Sequence, residues 1–245
     1  MTARSMENQH QNKSGYNHAE WETKRNFLRW LLRVIGLPLL AKIDSVEGVE
    51  NVPTEGSAII MINHVSFIDP FVVANPLPRN IVALAKVEVY DYPIVGIVPK
   101  LLGVIPVKRE EFDRNAVQSC LEVLRAGEMI LLAPEGTRGP TLRQGREGVA
   151  YLASRAGAPV VPVAVYGTEG FPALRFTKRW QQPGGHIRFG RPFRYKAALR
   201  RAKAQTLRQM TDEAMYRLAA MLPEDRRGFY ADLSKATQET IEWDE

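Results

Sequence analysis

SAIIMINHVSFIDP, residues 57–70, joins an almost unbroken apolar run, Ser57 to Ile62, to a polar turn that carries a histidine and an aspartate. The run reads as a buried strand, and His64 then emerges at the strand's end, where open α/β sheets place their ligands. An imidazole has an unperturbed pKa of about 6.5, so it can take and return a proton near neutral pH. A carboxylate fixes its tautomer and stabilises its charged form, and Asp69 is the candidate for that role. Five residues apart, the two side chains do not share a face of a regular helix, so they meet only if the chain turns between strand and helix. Pro70 suits the first turn of such a helix, and Asp69 just before it also suits an N-cap. On spacing alone the pair reads either as a capped turn or as a catalytic dyad.

Three more stretches bear on that choice. GVIPVKR (103–109) reads as a strand ending in a charge pair, LLAPEGTR (131–138) as a second apolar strand running into a polar turn, and VVPVAV (160–165) as a core strand. Arg109, Glu135, Thr137 and Arg138 all follow apolar strands, so they can converge with His64 on one edge of a sheet. Arginine's planar fork suits bidentate phosphate contacts, and backbone N–H groups around Gly136 add to such a cradle. The bland alternative is a surface turn in which Glu135 pairs with Arg138, an arrangement worth little.

Together with residues 63–70, these stretches resemble, in order and spacing, the four sequence blocks of the glycerolipid acyltransferases, the family of lysophosphatidic acid acyltransferase. The resemblance covers about residues 45 to 170, and the combination of NHxxxxD with a downstream PEGTR is what makes it specific. It implies that His64 is a general base oriented by Asp69. It implies that Arg109, Glu135, Gly136, Thr137 and Arg138 bind the acceptor's glycerol phosphate. The reaction it implies is direct acyl transfer from acyl-CoA or acyl carrier protein to the free hydroxyl of a lysophosphatidic acid, with no covalent enzyme intermediate and no cofactor. Ser66, inside the first block, is assigned no nucleophilic role. Family members commonly follow PEGTR with serine, where this chain has Gly139 and Pro140.

Length and composition fit that class. A chain of 245 residues with 45% apolar content can bury the core of one α/β domain. Cys120, the single cysteine, lies in an apolar helical pattern and reads as a core thiol. The four histidines, at 10, 18, 64 and 186, show no ligand spacing, so no metal site is expected. No Walker or dinucleotide glycine motif occurs, and GTEG from Gly167 is not a phosphate loop. The net charge of +6 is uneven: between Phe171 and Tyr230 there are 14 Lys plus Arg against 4 Asp plus Glu. Such a face suits anionic lipid, phosphates or an acidic carrier protein, or is a solvated surface without a partner; it lacks a nucleic-acid recognition motif.

Residues 1–24 read as a disordered polar lead without a secretory core. Residues 25–42 read as an amphipathic helix in which Arg25, Arg29 and Arg33 share one face and Phe27, Trp30, Leu31, Val34 and Ile35 the other. This arrangement suits either a membrane interface, with the arginines at headgroup level, or packing on the chain's own domain; the first is favoured. No run of about 18 uncharged apolar residues occurs, so association with the cytoplasmic face is expected to be peripheral. Strands are expected near 46–53, 57–62, 80–85, 103–107, 129–133, 160–165 and 186–189, and helices over 114–124, 145–155 and 202–222. Residues 92–107, broken by Pro93, Gly96, Pro99, Gly103 and Pro106, either wall an apolar groove or pack into the core. The alternation predicts a single α/β domain over 43–230, a mixed and mostly parallel sheet flanked by helices, with 231–245 as a tail. Two further readings stay open: the same chemistry on another lysolipid or glycerol phosphate, and a noncatalytic module that binds anionic membranes.

Overall fold

The strand that carries the histidine, β2 (Ala58–Ile62), is fully buried along its length. Its side chains alternate in direction: Ile59 and Met61 enter one core cluster, and Ala58, Ile60 and Ile62 the other. A strand covered on both faces has no polar side to show, which is why its sequence is a continuous apolar run. The structure is a computed structural model that describes residues 21–92, 96–108 and 113–243.

β2 pairs in parallel with β5 (Met129–Leu132) on one side and with β6 (Val160–Tyr166) on the other. Beyond β5 lie β3 (Ile81–Lys86) and β4 (Ile105–Val107), both parallel. Beyond β6 come β7 (Gly185–Phe189), antiparallel to it, and β1 (Ile43–Glu47), parallel to β7. β8 (Phe193–Tyr195) pairs with β6 and β9 (Ile241–Trp243) pairs with β8, which completes a nine-stranded, mostly parallel sheet.

The helices that cover the sheet are amphipathic. One face packs against α4 (Arg114–Arg125), α5 (Gly148–Ala156) and α6 (Ala204–Ala219) through residues such as Val123, Ala150 and Met215. Asp113 caps α4 by accepting the N–H of Ala116, 3.0 Å away. Cys120 is fully buried there, and burial pushes its thiol up to about 12, so it is the inert core group expected. The opposite face packs against α2 (Asp69–Ala74) and the end of the N-terminal helix. A short helix, α3 (Ile97–Leu102), interrupts the Pro- and Gly-broken stretch ahead of β4.

The N-terminal helix runs over 22–40: α1 (Glu22–Leu31) continues through a π-helical turn, Leu32–Gly36, into Leu37–Leu40. The expected basic face is split: Arg25 and Arg29 turn toward the domain, whereas Arg33 is exposed. Arg25 is only 5% exposed and donates to the carbonyls of Leu102 and Gly103 at 2.7 and 3.0 Å, and Arg29 donates to Leu77 O. The outward side carries large apolar residues, Phe27, Trp30, Val34, Ile35 and Leu39, with Arg33 exposed among them. The arginines at 25 and 29 therefore do not sit at an outer headgroup level. The Arg25 fork satisfies carbonyls at the C-terminal end of α3 and Arg29 satisfies the Leu77 carbonyl, which a hydrocarbon side chain cannot do. Of the polar lead expected over residues 1–24, residues 22–24 belong to the first turn of α1, and residues 1–20 lie outside the described residues.

The chain's end also departs from expectation, because the stretch from 231 contributes an edge strand. Glu213 on α6 is 1% exposed and accepts from Thr237 Oγ1, Glu239 N, and both the N–H and Oγ1 of Thr240, at 2.5–3.0 Å. Four donors on one buried carboxylate tie that stretch to α6 and hold the Glu213 carboxyl below its ordinary range.

Asn63 extends the sheet past the end of β2. Its side-chain amide takes the place of another strand residue, donating to Val165 O and accepting from Val165 N, each at 2.7 Å. Asn63→Ala leaves both buried backbone groups of Val165 without a partner and is expected to cost about 2–4 kcal/mol by chemical denaturation. A loss below about 1 kcal/mol would show that the amide is dispensable.

Candidate active site

β6, β2 and β5 are neighbours, and their C-terminal ends release three turns side by side: 167–170, 63–70 and 133–139. The turn after β2 solves the spacing problem of the histidine and aspartate. Ser66 O accepts the N–H of Asp69 at 3.2 Å, and Asp69 Oδ2 in turn accepts the N–H groups of Val65 and Ser66, both at 2.7 Å. The chain thus closes on its own carboxylate, and His64 Nδ1 comes to 3.0 Å from the same oxygen. Asp69 heads α2, with Pro70 in the first turn, yet it caps nothing downstream; its acceptor capacity points back toward His64. The other oxygen, Oδ1, accepts from Thr168 Oγ1 at 2.6 Å.

Asp69 is fully buried, whereas the His64 side chain is 16% exposed. Accepting at Oδ2 places the imidazole proton on Nδ1 and leaves Nε2 as a base. His64 stands at a cleft of about 440 Å³, whose walls include Leu37, Phe71, Leu84, Leu102, Val104 and Leu131. The broken 92–107 stretch therefore walls a groove through Tyr92, Pro99, Leu102 and Val104. Thr137 and Arg138 line the same cleft, and so do Arg25 and Arg29 from the N-terminal helix.

Glu135 and Gly136 lie behind His64 rather than across from it. Glu135 is 5% exposed; Oε1 accepts the His64 N–H at 3.4 Å and Oε2 the Arg143 N–H at 2.9 Å. Gly139, where the chain departs from the family block, donates its N–H to His64 O at 2.9 Å. The turn after β5 thus clamps the His64 peptide from both sides. Gly136 has a φ of +68°, a conformation that strains any residue with a Cβ, and a Cβ there would stand 3.3 Å from Arg146 Nε. Arg109, expected to bind phosphate, lies outside the described residues. Arg143 and Arg146, packed beside Gly139 and Gly136, were not singled out in the sequence because they follow the turn rather than form it. Of the basic stretch after Phe171, Arg179, Arg208 and Arg226 are committed to internal bonds with carbonyls and carboxylates. Among the described residues, no group of three or more His, Cys, Asp or Glu is placed to hold a metal ion.

Burial pushes the Glu135 carboxyl up from 4.5 to about 7, against the lowering pull of the Arg143 and His64 N–H groups. A carboxyl whose folded pKa is raised binds more protons in the native state, so stability falls as pH rises from about 4.5 to about 7. Glu135→Gln removes this titration. Thermal melts across that window are expected to show a flatter pH dependence than wild type; parallel curves would contradict the assignment.

Residues 45–166 match the family model Acyltransferase. Among curated proteins, the chain is 35% identical over 130 residues to 1-acyl-sn-glycerol-3-phosphate acyltransferase of Borreliella burgdorferi, covering 51% of this chain and 52% of that one. It is 31% identical over 129 residues to 1-acyl-sn-glycerol-3-phosphate acyltransferase LPAT1, chloroplastic, of Arabidopsis thaliana, covering 51% of this chain and 36% of that one. The matched stretch thus spans about half or less of these relatives. A solved structure of the 1-acyl-sn-glycerophosphate acyltransferase PlsC from Thermotoga maritima shares the fold, with a TM-score of 0.57 at 20% identity over 88% of this chain and 83% of that one. The block order read in the sequence, the sheet that sets the turns after β2 and β5 side by side and the family match agree: through residues 45–166, this chain belongs to the acyltransferase family.

Proposed function

We propose that the protein is a 1-acylglycerol-3-phosphate acyltransferase, moving a fatty acyl group from acyl-CoA or acyl carrier protein to the free sn-2 hydroxyl of lysophosphatidic acid. The observation that carries this reading is the His64–Asp69 pair opening onto an apolar cleft with Arg138 on its wall. His64 Nε2 takes the proton of the acceptor hydroxyl while that oxygen attacks the thioester carbonyl. The tetrahedral adduct collapses with cleavage of the C–S bond, and the imidazolium returns its proton to the departing thiolate. Asp69 stabilises the imidazolium and holds the ring's tautomer. Arg138, with Thr137 and the turn at Gly136, binds the acceptor's phosphate, Arg109 adds to that site, and Glu135 shapes it from behind. Proton transfer begins and ends on His64, so the reaction needs no cofactor beyond the acyl donor.

The substrates are amphiphiles, and the exposed side of the N-terminal helix suits the surface that holds them. Phe27, Trp30, Val34, Ile35 and Leu39 face outward, and the loop that carries exposed Leu174 and Phe176 is joined to the helix end by the Ala173 N–H to Leu40 O bond, 2.8 Å. Arg175 and Lys178 are exposed beside them. An apolar face with aromatic residues and a cationic fringe fits the interface of an anionic bilayer, which supports peripheral association with the cytoplasmic face. No helix among the described residues is long and apolar enough to cross a membrane.

Acyl transfer from acyl-CoA to lysophosphatidic acid in detergent micelles is expected to fall by about 10²–10⁴ in His64→Ala, and by a comparable factor in Asp69→Asn, with the fold retained by circular dichroism. Undiminished turnover in either variant would rule out the mechanism. Replacing Trp30 and Phe176 together with Asp is expected to lower binding to phosphatidylglycerol-containing vesicles by about tenfold or more. Sedimentation equal to wild type would exclude this face as the docking surface.

A further inference from the structure

The turn at 167–170, GTEG, is not a phosphate loop, and the chemistry proposed above leaves it without a task. The structure gives it an unusual amount of support. Gly167 has a φ of +76°, and a Cβ there would stand 2.5 Å from Gly184 O, so only glycine lets the chain reverse at that point. Arg179 donates to the carbonyls of Gly167 and Glu169 at 2.6 Å each and to Pro183 O at 2.7 Å, and its guanidinium stacks 4.0 Å from the Phe171 ring centre. Glu169 pairs with Arg226. Phe171 O accepts from Ser66 Oγ at 2.6 Å, which ties the turn to the His64 loop. What this frame delivers is one hydroxyl: Thr168, with no exposed surface, donates from Oγ1 to Asp69 Oδ1 at 2.6 Å.

We infer that Thr168 is a positioning residue of the dyad, which sets the proton affinity of Asp69 and, through it, the protonation of His64. The carboxylate has two oxygens with different duties. Oδ2 accepts from His64 Nδ1 and two backbone N–H groups; among the described residues Oδ1 has the one donor, Thr168. Without that hydroxyl the buried carboxylate loses a charge-assisted bond and becomes more basic, while the two backbone N–H groups still hold Oδ2 against the imidazole. A more basic Asp69 stabilises the imidazolium, so His64 is protonated to higher pH and less of it is available as a base at neutrality. Other charges around the pair come from several elements: Glu135 and Arg138 on the turn after β5, Glu169, Arg179 and Arg226 behind Thr168, Arg25 and Arg29 on the helix wall, and Lys86 and Glu88 at the end of β3. A change at Thr168 removes none of them.

The role of Thr168 rests on His64 acting as the general base, and its test separates the two. In the full-length protein, the His64 imidazole is titrated by NMR, its signals identified by their loss in His64→Gln. Thr168→Val is expected to raise the His64 midpoint by about half to one unit. The acid limb of acyl transfer should move by the same amount, so the rate well below the midpoint should fall by about three- to tenfold, the deficit shrinking as pH rises. Thr168→Ser keeps the hydroxyl and is expected to match the wild-type midpoint and acid limb. A merely structural threonine would lower the melting temperature and leave the midpoint unmoved; that result, or a Ser variant as shifted as Val, overturns the inference. Should Thr168→Val fail to fold, the wild-type protein still decides: its Thr168 hydroxyl proton is expected to be slow to exchange and to shift as His64 titrates, and an unprotected or insensitive proton overturns the role. A shifted midpoint without acylation of any lysolipid leaves the positioning in place and removes the substrate assignment instead.

Discussion

A carboxylate taken fully out of water is costly unless its oxygens are satisfied, and much of the local architecture follows from how Asp69 meets that requirement. Four donors reach it from three sources: two backbone amides of its own turn, one imidazole and one hydroxyl from the turn after β6. The amides bend the chain immediately after β2. The imidazole is thereby folded back over the strand's end, and the hydroxyl draws a second strand's turn against the first. The same bonds that make the charge tolerable fix His64 in one tautomer, so solvation of the aspartate and preparation of the base are one structural event.

The sheet supplies what this event needs, three strand ends in register. β6, β2 and β5 are central and parallel, and their turns emerge on one edge while two layers of helices leave that edge open. The Asn63 amide locks the first two strands beyond the last regular pair, and the turn after β5 holds the His64 peptide between Glu135 and Gly139. Backbone on one side and side chain on the other are thus both immobilised, which is what a general base at a fixed distance from its substrate demands.

How much of this could be read from the chain depended on whether the information was local. β2, β5 and β6 were legible because burial on both faces writes an unbroken apolar run. The meeting of His64 with Asp69 was legible only as one of two options, since a turn that closes on its own side chain has no periodicity. Thr168 carries no signal of its own: the bond that gives it meaning spans 99 residues, and the glycine-rich spacing of GTEG tests for phosphate, not for a hydroxyl donor. β8 and β9 are short, and the stretch that leads into β9 is held to α6 by Glu213, a partner no local pattern names. The N-terminal helix is a different case. Its amphipathic pattern separates apolar from basic positions, but a pattern defines two faces without saying which one is inside, and Arg33 stays exposed while Arg25 does not. The carbonyls of Leu102 and Gly103 at the end of another helix, and that of Leu77, turn Arg25 and Arg29 inward.

That inward turn bears on the proposed function. If the arginines faced a membrane, the helix would hang from the bilayer and touch the domain through its greasy side, free to slide on a nonspecific contact. With Arg25 bonded to the end of α3 and Arg29 to Leu77 O, directional bonds fix its rotation and its height on the domain. Its inner face, through Arg25, Arg29, Leu32 and Leu37, is a wall of the cleft, while its outer face carries the exposed aromatic residues. A lipid surface engaged by the outer face then sits one helix diameter, roughly 10 Å, from the cleft that the inner face lines. On the proposed membrane seating, the helix would hold the cleft and His64 at a constant distance from the headgroups. An amphiphilic acceptor whose phosphate stays near the surface needs that constancy if its hydroxyl is to meet one nitrogen.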